Sequence, residues 1–314
     1  MPVAVLGDAT IDVAVRLAAS MSAGGDREAA IRLGVGGQGA NVAVRLARRG
    51  VPVRLVTALG DDQPGRWLAE QLEAEGVRVE RVPPARSSLV VALIDPAGER
   101  SMLSDRAAVR LESDDLATRL AGAAWIHCSG YLLRDPVEAG PVLAAIQRLR
   151  TAGASPPRLS IAGGSADEPA PAAALREAVE RLDPDLLVLG LDEARALTEL
   201  PSGTGAAVVK RLAVLAPLAI VTSGATGAHA VLGGRVSIAV PGEHDPSPAI
   251  DATGAGDAYL AALLAAVLPG SWPPSTARLP EVLAVAARAG SQAARVEGAQ
   301  ARIPDEPPAA TVAP

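Results

Sequence analysis

Short aliphatic runs that end at Gly or Asp alternate along the chain with longer Ala-, Leu- and Arg-rich stretches whose apolar residues recur at helical spacing. Parallel strands must be joined by a crossover of about a dozen residues, usually a helix, so this alternation predicts strand–helix units around a mainly parallel sheet. The predicted strands are 3–6, 53–58, 125–128, 158–161, 186–189, 219–222 and 228–232. The predicted helices are 39–49, 65–75, 114–121, 136–151, 172–182, 191–198, 205–213, 255–268 and 279–296.

Four short segments depart from this alternation, because no helical stretch separates the members of each pair. They are 12–17 with 29–35, and 88–95 with 99–104, the second pair flanking a Pro-Ala-Gly turn. Such strands predict a small separate sheet, which beside a cleft can act as a lid. We therefore expect an α/β body at 1–11, 36–85 and 106–314, a β lid at 12–35 and 86–105, and a disordered Pro/Ala-rich tail at 304–314.

Composition limits the partners and the compartment. The 314 residues include no Phe, two Tyr and three Trp, so the core must pack from aliphatic side chains, as buried parallel strands do. The net charge of −6, with no stripe of Lys or Arg, predicts that no nucleic acid is bound. One cysteine, Cys128, excludes an internal disulfide and a Cys-based metal cluster. With no apolar span of about 20 residues and no leader-like start, we expect no membrane association and a cytoplasmic protein.

The segment 251–257, Asp-Ala-Thr-Gly-Ala-Gly-Asp, runs into a helix candidate and carries the chemistry that we consider most informative. Gly254, Ala255 and Gly256 at a helix start leave backbone N–H groups pointing outward, where the helix dipole also favours negative charge. Asp257 in the first turn could accept a proton from a hydroxyl while those N–H groups hold a transferring phosphoryl group. Without other motifs, the same residues could also form an ordinary tight turn with an acidic N-cap.

The whole 251–257 string resembles the C-terminal signature of the ribokinase family, also called the PfkB carbohydrate kinases. The stretch 34–43, Gly-Val-Gly-Gly-Gln-Gly-Ala-Asn-Val-Ala, is similar to the first signature of that family. The resemblance implies a three-layer α/β/α body with a small β-sheet lid. It also implies ATP-dependent phosphorylation of a hydroxymethyl group on a sugar or sugar-like molecule, with Mg²⁺ and with Asp257 as the base. By the same resemblance, Asp12, Gly36, Gly37 and Asn41 bind the sugar.

The nucleotide side is indicated by the stretch 222–228, which resembles the family's Thr-x-Gly-x-x-Gly loop. The resemblance assigns Thr222, Gly224 and Gly227 to the nucleotide, although the same residues also predict a hairpin turn. The stretch 190–193 aligns with the family's Asn-x-x-Glu motif, in which Glu193 helps to order magnesium. Here Gly190 replaces the Asn.

Three further features come from the same resemblance. In several relatives a Gly-Ala turn near the C-terminus helps to hold a monovalent cation. The resemblance makes Asp251, Thr253 and Gly298 the candidate K⁺ site, with backbone carbonyl oxygens as the ligands. Arg100, on the predicted lid hairpin, is a candidate for substrate or phosphate contact, or else an exposed hairpin charge. Where many relatives carry Gly-Ala-Asn, this sequence has Val109 in place of the Asn. The replacement favours a substrate unlike ribose, or a site that uses Asp105, Arg106 or Tyr131.

Two alternatives to a sugar kinase remain open at this point. The first is a nucleoside kinase for adenosine or pseudouridine, which the scarcity of aromatic residues for base stacking disfavours. The second is a non-catalytic relative that binds a sugar or nucleotide, which the missing Asn residues favour and the intact Asp257 opposes. Lid strands could also pair two copies of the chain into a homodimer.

Overall fold

The computed structural model describes residues 2–21, 24–84, 86–107, 111–152, 155–164, 169–243 and 249–306. Within these ranges the strands are β1 Val3–Leu6, β2 Thr10–Leu17, β3 Ala29–Gly36, β4 Val53–Ala58, β5 Arg78–Val82, β6 Leu89–Ile94, β7 Arg100–Asp105, β8 Trp125–Ser129, β9 Arg158–Ala162, β10 Leu186–Gly190, β11 Leu218–Thr222, β12 Ala228–Leu232 and β13 Val236–Val240. The helices are α1 Gln38–Arg48, α2 Gln63–Ala74, α3 Ser113–Leu120, α4 Pro136–Thr151, α5 Pro169–Leu182, α6 Leu191–Thr198, α7 Gly205–Leu212, α8 Ala255–Val267 and α9 Leu279–Ala293.

Nine strands form one sheet in the order β13-β12-β11-β10-β9-β8-β1-β4-β5, with all pairs parallel except those that involve β12 and β13. The predicted strands and helices are present, with ends that differ by at most three residues. The predictions missed β5 and β13, the two edge strands. Their sequences, RVERV and VSIAV, alternate with polar or small residues because an edge strand is only partly buried, so they lack the continuous apolar run of a central strand.

Helices cover both faces of this sheet. Val3 and Val5 of β1 pack with α1, α8 and α9 on one face, whereas Ala4 and Leu6 pack with α3 to α7 on the other. Successive side chains of a strand point to opposite faces, so a fully apolar strand such as β1 is required to bury both. The result is the three-layer α/β/α body that was predicted, and it aligns the carboxyl ends of the parallel strands along one edge.

A second sheet has four strands in the order β3-β2-β6-β7 and confirms the predicted small separate sheet. We call it the lid sheet. Its strands β2 and β6 are parallel, and the other two pairs are antiparallel. No helix in the described part of the chain is long and apolar enough to span a membrane.

The C-terminal segment differs from its prediction. Glu306 lies inside the tail that was expected to be disordered from 304, yet its side chain is buried and forms an ion pair with Arg45 at 2.7 Å. A start of the tail at 304 is therefore wrong, because a buried carboxylate with a cationic partner fixes the chain through 306. Residues 307–314 lie outside the described residues.

Candidate active site

A cleft of about 870 Å³ opens at the carboxyl ends of β1, β10 and β11, beside the N-terminus of α8 and beneath the lid sheet. Ligands of open α/β sheets commonly bind at this end of the strands. Many of the predicted site residues line the cleft. They are Asp12, Gly37, Asn41, Glu193, Thr222, Thr253, Gly254, Gly256 and Asp257.

The N-terminus of α8 has the geometry of an anion-binding turn. Gly254 is the N-cap, with φ of 75°, and a Cβ on it would lie 2.9 Å from the Cα and Cβ of Ala299, so only glycine fits without strain. Because α8 begins at Ala255, the N–H groups of Gly256 and Asp257 have no intrahelical acceptor. The N–H of Ala255 was also predicted to bind phosphate, but here it donates to the carbonyl oxygen of Ala252 at 3.2 Å.

Asp257 lies at the base of the cleft, where protein atoms replace most of the surrounding water. Burial raises the pKa of its carboxyl from 3.8 to about 7, against a lowering effect from the Asn41 Nδ2, which donates to Asp257 Oδ2 at 2.8 Å. Nearby Asp8 raises the pKa further, and Arg45 lowers it. A carboxyl that titrates near neutrality can exchange a proton under physiological conditions.

The predicted sugar-binding residues lie close together, but Asn41 has another partner. Thr10 Oγ1 donates to Asp12 Oδ1 at 2.7 Å, and burial raises the pKa of the Asp12 carboxyl. Gly36 packs directly against the Asp12 carboxylate, where a Cβ would overlap it. The Asn41 amide was expected to bind the sugar, whereas in this structure its Nδ2 donates to Asp257. This end of the cleft therefore presents one carboxylate from the lid sheet and an amide that is already engaged.

A third polar side chain, that of Gln300, joins Asn41 and Asp257, and it was not predicted from the sequence. Its Nε2 donates to Asn41 Oδ1 at 3.1 Å, in the turn between α9 and the buried Glu306. Arg45 Nη2 donates to the carbonyl oxygen of Ala299 at 2.8 Å, which fixes the same turn to α1. The Gly-Ala turn at 298–299 was recognised as a family feature, and the polar residue that follows it was the available signal.

The three residues predicted to hold a cation lie close together, and in this structure their charged partner is Arg100 of the lid sheet. Asp251 accepts hydrogen bonds from the N–H of Thr253 at 2.8 Å and from the N–H of Gly298 at 2.9 Å. Arg100 from β7 of the lid sheet forms an ion pair with Asp251 at 2.8 Å and also contacts the Thr253 hydroxyl. Arg100 does not line the cleft, so its contacts in this structure are with the body rather than with the space for substrate.

The nucleotide-side residues are divided between two turns. Thr222 ends β11 and lines the cleft, while Gly224 and Gly227 belong to the β11–β12 hairpin and do not line it. The Glu193 carboxylate accepts a hydrogen bond from the N–H of Gly190 at 2.8 Å and so caps its own helix, α6. A Cβ at position 190 would lie 3.3 Å from Glu193 Oε2, so the family's Asn would crowd this contact.

The proposed substitutes for the family's lid Asn have different surroundings. Arg106 and Arg134 lie over the ring of Tyr131, 5.5 and 4.7 Å from its centroid, and all three line the cleft. Asp105 instead forms an ion pair with Arg86 at 2.5 Å. Val109 lies outside the described residues.

Comparisons with known proteins assign the family. A model of the pfkB family of carbohydrate kinases matches residues 2–306. A fructokinase from Klebsiella pneumoniae is 32% identical over 321 aligned residues, which cover 96% of this chain and 95% of the relative. A ribokinase from Arabidopsis thaliana, solved with ribose and ATP, superposes with a TM-score of 0.79 at 24% identity and 97% and 96% coverage. An adenosine kinase from Sinorhizobium meliloti has a TM-score of 0.77 at 20% identity, with 96% of each chain covered. The chain belongs to the pfkB family and is an ATP-dependent carbohydrate kinase with a ribokinase-like fold.

Proposed function

We propose that this kinase transfers the γ-phosphoryl group of ATP to a hydroxymethyl group of a sugar or sugar-like molecule, with Asp257 as the general base. The observation that carries the proposal is the position of Asp257, whose carboxylate and the first-turn N–H groups of α8 face the same cleft. Asp257 takes the hydroxyl proton as the substrate oxygen bonds to the γ-phosphorus. The bond from that phosphorus to the β–γ bridging oxygen breaks, and ADP leaves.

The turn at Gly254–Gly256 serves as the anion hole in this proposal. The helix dipole and the N–H of Gly256 stabilise the charge of the transferring group. The N–H of Ala255 contributes only if it exchanges the carbonyl oxygen of Ala252 for a phosphate oxygen. Thr222, Gly224 and Gly227 bind the nucleotide in this proposal, which the position of Thr222 in the cleft lining supports.

The donor set of the cleft fits Mg²⁺ that arrives with ATP. Among the described residues, no three His, Cys, Asp or Glu side chains form a metal cluster. Mg²⁺ usually keeps several waters and binds through phosphates and one or two carboxylates, so Glu193 at the cleft wall is the carboxylate that would help to hold it. When bound, Mg²⁺ neutralises charge on the phosphate oxygens.

A K⁺ site at Asp251, Thr253 and Gly298 stays a prediction that depends on backbone carbonyl oxygens. The Asp251 carboxylate itself already accepts two N–H groups and pairs with the Arg100 guanidinium. The proposed mechanism therefore includes no step through K⁺.

The substrate lies beneath the lid sheet, against Asp12, Gly36, Gly37 and Asn41, in our proposal. Asp12 and Asn41 both line the cleft with Asp257, which supports this arrangement. Closure of the lid sheet excludes water and limits ATP hydrolysis. We also propose a cytoplasmic location, which the use of ATP supports.

The exposed apolar side chains of the lid sheet support a homodimer. Cross-strand registers align Val13, Leu33, Val91 and Leu103 in one row across the four strands, with a parallel row that contains Ile31. Leu33 is 67% exposed and Leu103 is 58% exposed. A second copy would cover this apolar face and its unpaired edge strands. Gel filtration of Leu33→Glu beside the wild type tests it, and an unchanged elution volume would contradict the dimer.

The nucleoside alternative is weakened by the lining of the cleft. Of the described aromatic side chains, Tyr131 alone lines it, and two arginines, Arg106 and Arg134, lie near its ring. Trp125 and Trp272 pack against each other at 4.8 Å outside it. Base stacking would therefore have little support.

The experiment is a coupled ADP-release assay over sugars and nucleosides, with calorimetric titration of ATP. We expect turnover of a sugar, and we expect Asp257→Asn to reduce kcat by about 10²–10⁴-fold while ATP still binds. Binding without turnover across the panel would favour the non-catalytic alternative. Retained activity in Asp257→Asn would show that another group is the base.

A further inference from the structure

Three residues that are distant in sequence form a continuous hydrogen-bonded chain into the cleft. Gln300 Nε2 donates to Asn41 Oδ1 at 3.1 Å, and Asn41 Nδ2 donates to Asp257 Oδ2 at 2.8 Å. We propose that Gln300 is a positioning residue for the phosphoryl transfer, because it holds the Asn41 amide in the orientation that donates to Asp257. This inference rests on the proposed role of Asp257 as the base.

The donors and acceptors along this series of hydrogen bonds follow from what each side chain can donate. An ionised carboxylate only accepts, so Asn41 must turn its NH₂ toward Asp257 and its carbonyl oxygen toward Gln300. Gln300 must then donate.

The backbone around Gln300 is held from two sides. Arg48 Nη1 donates to the carbonyl oxygen of Gln300 at 2.7 Å, and Arg45 Nη2 donates to that of Ala299 at 2.8 Å. Both arginines project from α1, the helix that carries Asn41, and both pair with Glu306. The side chains of Gln300 and Asn41 therefore start from backbones that are tied to each other.

The other charges around Asp257 make this amide important. Asp8, after β1, and Glu193, on α6, disfavour ionisation of Asp257, whereas Arg45, on α1, favours it. The positive charge of Arg45 is already paired with Glu306 at 2.7 Å. Asn41 is the neutral donor in direct contact with the carboxylate, and it is itself 5% exposed, so water cannot easily replace it.

Two substitutions separate the hydrogen bond from the packing. Gln300→Met keeps the size but removes the donor, which leaves Asn41 free to reverse. Gln300→Glu only accepts when ionised, so it draws the Asn41 NH₂ toward itself and turns the amide oxygen toward Asp257. Gln147→Glu adds the same charge on α4, where Gln147 contacts the Arg181 carbonyl oxygen at the exposed surface, and serves as the control.

The measurement is the pH dependence of kcat/KM, together with a carboxyl NMR titration of Asp257 that needs no turnover. We expect the Asp257 pKa and the acid limb of kcat/KM to rise by about 0.5–1 unit in Gln300→Met and by more than about 1 unit in Gln300→Glu. Gln147→Glu should match the wild type.

The outcomes distinguish the inference from the proposed function. Unshifted titration in both Gln300 variants would overturn the inference, as would an equal fall of kcat at every pH with a lower unfolding temperature. Absence of sugar turnover in the wild type would overturn the proposed function instead. In that case the NMR titration would still test whether Gln300 controls the carboxyl. If Gln300→Glu does not fold, the neutral Gln300→Met variant decides.

Discussion

Inside the body, Arg45 of α1 and Glu306 form an ion pair in which both side chains are fully buried, whereas the lid sheet reaches Glu297 of the body through Arg16 and Arg32, which are 48% and 72% exposed. A buried pair is costly to break, because the remaining charge lacks both water and a partner. Exposed pairs contribute little and can exchange with solvent. The comparison indicates that the body around Arg45 and Glu306 is held more firmly than the lid sheet is held at Glu297.

The largest effect should come from the buried pair. Glu306→Gln leaves Arg45, Arg48 and Arg49 without their shared counter-charge. We expect a loss of about 3–5 kcal/mol in the free energy of unfolding, measured by urea denaturation. Glu177→Gln, which removes an exposed pair with Arg181, should cost less than about 0.5 kcal/mol. Similar losses in the free energy of unfolding of the two variants would contradict the difference between the buried ion pair and exposed ion pairs.

The next effect concerns Asp257 and pH. Its folded-state pKa of about 7 lies above its ordinary 3.8, so the folded protein binds more protons than the unfolded chain between these values. This contribution to stability is fully present below about pH 4 and is lost as the pH rises through about 7. Asp257→Asn avoids that loss, and at pH 8 we expect it to be more stable than the wild type by about 2–4 kcal/mol.

Denaturant unfolding at pH 5 and pH 8 measures this difference. Asp114→Asn, at an 83% exposed side chain on α3, is the control and should show no such pH trend. If Asp257→Asn gains nothing on going from pH 5 to pH 8, the carboxyl is not desolvated as inferred. Asp257 would then be more accessible to water than a firmly packed body requires.

Two glycines at the N-terminus of α8 test how tightly the body is packed beside the cleft. Gly254→Ala must adopt a φ of 75° and crowd Ala299, so it should destabilise the protein by about 1–3 kcal/mol. Gly256→Ala meets nothing within 4 Å, and its methyl group should extend into the cleft. We expect unchanged or slightly higher stability and a several-fold higher KM for ATP. Equal loss of stability in the two variants would contradict the anion-hole geometry.

The smallest effect should be at the lid. Arg100→Met removes the ion pair with Asp251 and should cost about 1 kcal/mol, because the Asp251 side chain is only 4% exposed but keeps the N–H donors of Thr253 and Gly298. We expect a few-fold higher KM for the sugar, with a kcat that changes less. Arg86→Met, which removes the Asp105 pair in the same region, is the matched control. A large fall in kcat specific to Arg100→Met would place this lid residue in the chemistry.

The strand–helix alternation could be read from the sequence because buried parallel strands and amphipathic helices have distinct local periods. The edge strands β5 and β13 could not, since an edge strand carries polar residues that weaken that pattern. The family assignment was also available, because its motifs are contiguous in the chain. The partner of Asn41 was not, because a short polar side chain has no periodicity that identifies what it contacts.

By itself, the sequence determined the fold class, the family and the glycine turn before α8, since all three depend on local pattern or contiguous motifs. Only the tertiary structure decided that Asn41, Asp257 and Gln300 form one chain, that Arg100 faces Asp251, and that Glu306 is buried. These contacts join residues 150 or more positions apart along the chain. Their partners are selected by the packing of α1, α8 and the C-terminal turn, and packing of that kind has no local signal in the sequence.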